Sequence, residues 1–145
     1  MYEPIRSKSV HAMGEPTPLP RRPRQEELDI QLAGHLAALL TVTDELRALA
    51  PDPSLDRAAQ RLTERVTRLR DGSRPARSAA APAQERPDAD RVASLHRRAH
   101  TLAGRALVVA ASRADTGAAI LSAERMDAHA AALDGAGSAL SGAAH

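Results

Sequence analysis

Histidines are the side chains of this sequence best suited to chemistry, because four of them can lie at one level of a helical fold. His96 and His100 are four residues apart, so on one helix both imidazole rings point the same way, as a two-histidine metal site requires. His129 and His35 stand at similar distances from the predicted turns of their own helices. They reach the same level if both turns lie at one end of a bundle. The spacing therefore predicts a histidine layer that could bind a metal ion or a small ligand.

The same histidines also have a plainer interpretation. His96 and His100 lie beside or away from the apolar stripe of their helix, where side chains are commonly solvated. His35 lies on the stripe of its helix, where a single histidine is more often a buried polar residue with a local hydrogen bond than a ligand. No Glu or Asp stands three residues before a histidine, so the Glu-x-x-His motif of di-iron bundles is absent. Metal or small-ligand binding is therefore an alternative function and not the leading one.

A stripe of arginine forms a second candidate site, a basic face. Its members are spaced four, four and three residues apart: Arg57, Arg61, Arg65 and Arg68. Such a face could contact phosphates, so a regulator that binds nucleic acid is a further alternative. No recognition-helix signature accompanies it, and acidic segments elsewhere in the chain can balance its charge. We therefore rank nucleic acid below a protein as the partner.

Covalent catalysis finds no support in the composition. The chain of 145 residues has no Cys, Phe or Trp and a single Tyr, so it lacks a cysteine nucleophile, a thiolate metal site and an aromatic platform for a flat cofactor. A Gly-x-Ser-x-Gly motif and a Gly-rich loop after a strand are also missing from the sequence. We expect a non-enzymatic protein that needs no cofactor.

Apolar residues recur at helical spacing in four segments, and no segment alternates as a strand does. They step by three and four residues: Leu28, Leu32, His35, Leu39, Val42, Leu46 and Leu49 in the first segment; Leu55, Ala59, Leu62, Val66 and Leu69 in the second; Val92, Leu95, Ala99, Leu102, Ala106 and Val109 in the third; and Ala119, Ala123, Met126, Ala130 and Leu133 in the fourth. Short breaks inside each pair of segments make the paired helices antiparallel neighbours. The pattern predicts an all-α protein, an antiparallel four-helix bundle made of two helical hairpins.

Capping residues indicate where these helices begin and end. Asp52, Asp88 and Asp115 each precede a periodic segment, and an aspartate at that position can accept a hydrogen bond from the first backbone N–H groups of a helix. Gly72 follows the second segment, where glycine commonly ends a helix. The helices are therefore predicted to begin after these three aspartates.

Five segments follow from these boundaries. Residues 1–24 are rich in Pro and Arg and are predicted to be a disordered tail. Residues 25–71 form the first hairpin and residues 88–135 the second. Residues 72–87 contain three prolines and are predicted to be a flexible linker, and residues 136–145 are rich enough in Gly and Ser to fray.

The leading functional prediction is a protein–protein interaction module, with a second copy of the chain as the simplest partner. Leu36 and Leu40 flank an already complete stripe on the first helix, and Leu107 with Val108 adds apolar surface to the third. These four residues are the predicted interface of a homodimer. The alternative is a closed monomer in which they are half exposed.

The sequence also bears on where the protein works. No stretch is apolar enough to span a membrane, and the N-terminus has no apolar signal region. We therefore expect a cytoplasmic protein with no membrane partner.

Overall fold

The computed structural model describes residues 21–77 and 88–143, and the side chains of residues 23–77 and 88–137. It contains four helices: α1 (Arg21–Leu49), α2 (Pro53–Leu69), α3 (Ala89–Arg113) and α4 (Thr116–Ala143). The described residues form no β-strand. The all-α prediction is therefore confirmed. Over the same residues, none of the helices combines the length and the apolar character needed to cross a bilayer.

The helices pack as two hairpins whose inner members, α1 and α3, lie against each other. At one end of this contact Arg113 Nε donates to Asp29 Oδ1 at 2.9 Å, and at the other Arg91 lies 3.6 Å from Glu45. Because the start of α1 contacts the end of α3 and the end of α1 contacts the start of α3, these two helices are antiparallel. The α1–α2 turn therefore lies at one end of the bundle and the α3–α4 turn at the other. Helices α2 and α4 complete the bundle and are the least closely packed of its four neighbouring pairs.

Leucines of α1 supply most of the core. The fully buried aliphatic side chains with the largest volumes are Leu32, Leu36, Leu39, Leu40, Leu46, Leu62 and Val66. Helix α3 faces them with small residues, including Ala99, Ala103 and Ala106, and these allow the two helix backbones to come close. Each buried leucine contributes roughly 2 kcal/mol of transfer free energy and an alanine much less. The first hairpin therefore contributes more to stability than the second.

The prediction that Leu36 and Leu40 of α1 form a dimer interface is wrong. Leu36 and Leu40 are 0% exposed and belong to the core of one chain. The reason is that a helix of a four-helix bundle contacts two neighbours, so its apolar face is wider than a single seam. The α1 seam and its flanking leucines are both needed to cover α2 and α3. On α3, Leu107 is half-buried and Val108 is 67% exposed.

All three predicted N-terminal caps are confirmed. Asp52 Oδ1 accepts the Ser54 N–H at 2.7 Å, Asp88 Oδ1 accepts the Asp90 N–H at 2.9 Å, and Asp115 Oδ1 accepts the Ala118 N–H at 3.0 Å. Each bond satisfies a backbone donor that has no partner inside the helix.

Gly72 takes part in ending α2, one residue beyond a left-handed Asp71. Asp71 has φ 51°, and Gly72 has φ 97° and donates to the Thr67 carbonyl at 2.8 Å. Glycine adopts such a positive φ without the steric cost of a Cβ atom. The turn directs the chain back along the first hairpin.

Two helix boundaries differ from the sequence prediction. Helix α1 begins at Arg21, inside the predicted tail, and Pro23 falls in its first turn, where proline is tolerated because that N–H has no helical partner. Helix α4 continues to Ala143, through the segment predicted to fray. Alanines between the glycines of that segment are strong helix formers, and each glycine costs only about 1 kcal/mol. The remainder of the predicted tail, residues 1–20, and residues 144–145 lie outside the described residues.

The first part of the predicted linker contacts the first hairpin. Pro75 is buried, and Arg77 donates from Nε and Nη2 to the two carboxylate oxygens of Asp44, both at 2.8 Å. Asp44 lies buried on α1 and also accepts a bond from Arg47 at 3.0 Å. The chain thus runs back over α1 and α2 before residues 78–87, which lie outside the described residues.

Replacement of Arg77 by Ala is expected to lower the free energy of unfolding by about 1–2 kcal/mol, because a bidentate bond to a buried carboxylate is lost while Arg47 remains. Arg74→Ala is the matched control, since Arg74 is exposed on the same segment, and its effect should stay within about 0.5 kcal/mol. Urea denaturation of both variants measures the difference. Equal midpoints would contradict docking of this segment by Arg77.

Candidate functional site

Two of the four predicted histidines meet near the end of the bundle that carries the α1–α2 turn. The Nδ1 atoms of His96 on α3 and His129 on α4 are 2.8 Å apart, and the ring centroids are 5.1 Å apart. His129 is only 1% exposed, whereas His96 is half-buried. A contact this short between ring nitrogens is a hydrogen bond that requires one donor and one acceptor, so the two rings cannot share it when both are protonated.

A buried arginine lies one turn before His129 on the same helix. Arg125 is 7% exposed, and its Nη2 lies 3.4 Å from His129 Nε2. It forms no ion pair with any residue of the described ranges. Its Nε, and the hydroxyl of Ser122 one turn earlier, are buried without a hydrogen-bond partner among the described residues. Buried charges are normally paired, so a lone buried guanidinium is costly.

The contacts of Arg125 determine where the protons of the histidine pair lie. A guanidinium can only donate, so His129 Nε2 accepts from Arg125. The proton of neutral His129 is then on Nδ1, and it is donated to Nδ1 of His96. His96 in turn carries its proton on Nε2. The pair thus leaves one N–H donor on His96 that is not used within it.

The electrostatics of the site keep both histidines neutral. Burial lowers the pKa of His129 to about 3, and the positive charge of Arg125 and the neighbouring His96 and His100 act in the same direction. Burial and Arg125 also lower the pKa of His96. Burial and then repulsion from Arg61 lower the pKa of Arg125, and the negative charges of Glu124 and Asp52 oppose this shift without outweighing it. Arginine nevertheless remains protonated in proteins, so Arg125 is the cation of this site.

These side chains line a cleft of about 480 Å³, which we call the Arg125 cleft. Its lining comes from the α1–α2 turn, the start of α2, one residue of α3 and one face of α4: Ala50, Pro51, Asp52, Ser54, Leu55, His96, Arg125, Ala128, His129, Ala131 and Ala132. Asp52 is the acidic residue of this lining, and its carboxylate is bonded to the Ser54 N–H. The cleft therefore joins a buried cation to an opening at the end of the bundle.

A second, mainly apolar cleft of about 270 Å³ adjoins the first between α3 and α4. It shares Ala50, His96 and Ala132 with the Arg125 cleft. Its remaining lining is almost wholly aliphatic: Ala89, Val92, Ala93, Leu133 and Ala136. We call it the aliphatic cleft. Small alanine side chains on both helices leave this space open.

The full histidine layer predicted from the sequence does not form. His100 follows His96 by one turn and is close enough to influence His129 electrostatically. His35 lies at the middle of α1 and not at the level of His96, because the two hairpin turns lie at opposite ends of the bundle and not at the same one. In the part of the chain that the structure describes, no group of three or more His, Asp or Glu side chains could hold a metal ion.

The predicted basic face lies partly between the hairpins. Arg61 pairs with Glu124 of α4 at 2.7 Å, and Arg65 lies 3.9 Å from Asp115 at the start of α4. Arg57 and Arg68 are exposed. Two of the four arginines therefore bridge α2 and α4, the least closely packed of the neighbouring helix pairs.

Sequence reasoning missed Arg125 because it placed the buried stripe of α4 on the wrong residues. Ala119, Ala123, Met126, Ala130 and Leu133 were the predicted seam, and each is half-buried. The buried positions are instead Ala118, Leu121, Ser122, Arg125 and His129. The steps from Ser122 to Arg125 to His129 are three and four residues, so a polar stripe at helical spacing was the available signal.

Comparison with protein-family models, with curated proteins and with solved structures gives no match to this chain.

Proposed function

We propose that this protein is a non-enzymatic binding protein for a small anion, which occupies the Arg125 cleft. The observation that carries the proposal is the buried Arg125 guanidinium, which has no carboxylate partner among the described residues. An anion in the cleft supplies the missing counter-charge, and hydrogen bonds between ionised partners are stronger than those between neutral groups. The cation is therefore stabilised by the ligand it binds.

The neutral histidines support the same ligand class. A neutral His96, which lines the same cleft as Arg125, keeps an N–H on Nε2 as a donor. His129 fixes one guanidinium nitrogen through its Nε2. Both rings are ordered by hydrogen bonds, so the donors are preorganised before a ligand arrives. Preorganised donors lose less conformational entropy on binding.

Two of the functions predicted from the sequence, the metal-binding alternative and the leading homodimer, are less well supported. A metal ion would have to bind beside the charge of Arg125, and the two histidines in contact have no third ligand among the described residues. A homodimer interface on α1 is not supported, because Leu36 and Leu40 are core residues of one chain. An anion is the ligand that the charge of the cleft favours.

Small anions are expected to raise the melting temperature of the protein, because a ligand that binds only the folded state stabilises it by mass action. At about one hundred times the dissociation constant the gain is ~2.7 kcal/mol, or several degrees for a chain of this size. Differential scanning fluorimetry with sodium acetate and sodium phosphate, at constant ionic strength and against sodium chloride, measures this shift.

Arg125→Met tests the assignment of the cation. Methionine retains the length and the packing of the side chain without the charge, so the variant should fold at least as stably as the wild type while its anion-dependent shift disappears. Arg105→Met, on the exposed surface of α3, is the matched control and should keep the shift. Identical shifts in the wild type and Arg125→Met would refute the proposed site.

A further inference from the structure

The shape and charge of the site define the ligand more closely. We infer that the Arg125 cleft and the aliphatic cleft together bind one small monocarboxylate, with its carboxylate against Arg125 and a short apolar body between α3 and α4. This inference rests on the proposed function. It adds the chemical class of the ligand.

The head group is assigned from the balance of charge. Arg125 is the single cation of the cleft lining and Asp52 its single carboxylate, whereas His96 and His129 are neutral at ordinary pH. A carboxylate carries one negative charge and matches the guanidinium fork. Because Asp52 of the same lining already carries one negative charge, a dianionic phosphate would add two further negative charges beside it, whereas a carboxylate adds one. A monoanion is therefore favoured over a dianion.

The apolar body is assigned from the continuity of the two clefts. His96 lines both of them, so a ligand whose head contacts the buried arginine can extend past this ring. Beyond it the walls are Val92, Ala93, Leu133 and further alanines, which offer no partner to a polar group. The aliphatic cleft, at about 270 Å³, lies just below the size range of pockets for drug-sized ligands. It fits a short alkyl chain or a single ring.

Isothermal titration of the wild type with acetate, butyrate and hexanoate tests this inference. Each methylene buried in the aliphatic cleft should tighten binding about fourfold. Hexan-1-ol has the same chain without the carboxylate and should bind far more weakly than hexanoate. Inorganic phosphate should also bind more weakly than hexanoate, because of its second charge.

Two variants that fill the aliphatic cleft locate the chain. Ala93→Leu and Ala136→Leu, one on each helix, should reduce the affinity for hexanoate at least tenfold while the affinity for acetate stays within twofold. Ala111→Leu, at an exposed position of α3 outside both clefts, is the matched control and should change neither. Ala136 is exposed as well, so its substitution keeps the test valid if Ala93→Leu does not fold.

The outcomes separate the inference from the function on which it rests. Equal affinities for acetate and hexanoate, or tighter binding of phosphate than of hexanoate, would overturn the monocarboxylate assignment and leave anion binding at Arg125 standing. Equal binding of hexanol and hexanoate would overturn the role of the carboxylate. Failure of every anion to bind the wild type would overturn both.

Discussion

The double variant Leu36→Glu, Leu40→Glu is expected to be unfolded under conditions in which the wild type is fully folded. Both leucines are 0% exposed in the core of the bundle. A carboxylate at either position has no cation in the surrounding apolar cluster, and burying an unpaired charge costs several kcal/mol. Together, two such substitutions remove much of the free energy of unfolding of a typical domain, which is about 5–15 kcal/mol. Far-ultraviolet circular dichroism and size-exclusion chromatography measure the loss of helix and compactness.

The matched control is Ile30→Glu with Val108→Glu, because these side chains, one on α1 and one on α3, are each 67% exposed. Surface substitutions usually change the free energy of unfolding by less than about 0.5 kcal/mol. The control should therefore melt close to the wild type. A Leu36, Leu40 double variant that still melts cooperatively near the wild-type temperature would contradict the packing of α1 against its neighbours.

Acidification is expected to destabilise the protein steeply below about pH 6.5, well before most carboxylates titrate. The pKa of His129 falls from an ordinary value near 6.5 in the unfolded chain to about 3 in the folded protein. Between these two values the unfolded state binds a proton that the folded state excludes, so the stability is fully present above pH 6.5 and is lost as the pH falls. The slope from this one group approaches 1.4 kcal/mol per pH unit.

Urea denaturation at pH 7.0, 6.0 and 5.0 measures this loss, which should reach roughly 2 kcal/mol at pH 5 from His129 alone. His96, whose pKa is also lowered, adds to it with the same sign. Arg125 keeps its charge throughout the range. His129→Gln should remove most of the dependence of stability on pH. His35→Gln, which changes a half-buried histidine on α1, is the control and should leave this dependence in place. A flat profile in the wild type would mean that His129 is not held neutral by its surroundings.

Local sequence signals predicted the elements of the fold well. The leucines on α1 repeat every three or four residues, and this spacing indicates the face of the helix that packs against its neighbours. The caps at Asp52, Asp88 and Asp115 depend only on adjacent residues and a standard backbone geometry. Both kinds of signal act over one or two turns of helix, so they are readable without knowing the tertiary fold.

The arrangement of the hairpins is not a local property, and it determined which histidines meet. Short connections fix α1 beside α2 and α3 beside α4, but the end at which each turn lies depends on how the hairpins pack. The ion pairs of Asp29 with Arg113 and of Glu45 with Arg91 join residues distant in the sequence. They belong to the arrangement that places His35 away from His96. No periodicity in either hairpin carries this information.

Alanine explains why the site itself was missed. On α4 alanine occurs on every face, so the apolar pattern has little contrast and several stripes look equally suitable. The stripe that the fold buries contains Ser122, Arg125 and His129. A buried face that carries an arginine breaks the ordinary rule for core residues, and such exceptions are typical of functional sites.

A nuclear magnetic resonance titration of the Arg125 side chain tests most directly whether this residue binds an anion. The Nε–Hε signal of Arg125 is assigned by its absence from the spectrum of Arg125→Met, and it is followed while hexanoate is added at constant ionic strength and pH 7. A saturable shift of this signal is expected, with the dissociation constant found by calorimetry and with the signals of exposed arginines such as Arg105 unchanged. An Arg125 signal that stays in place at saturating hexanoate, or that moves no more than the exposed arginines, would contradict anion binding in the Arg125 cleft.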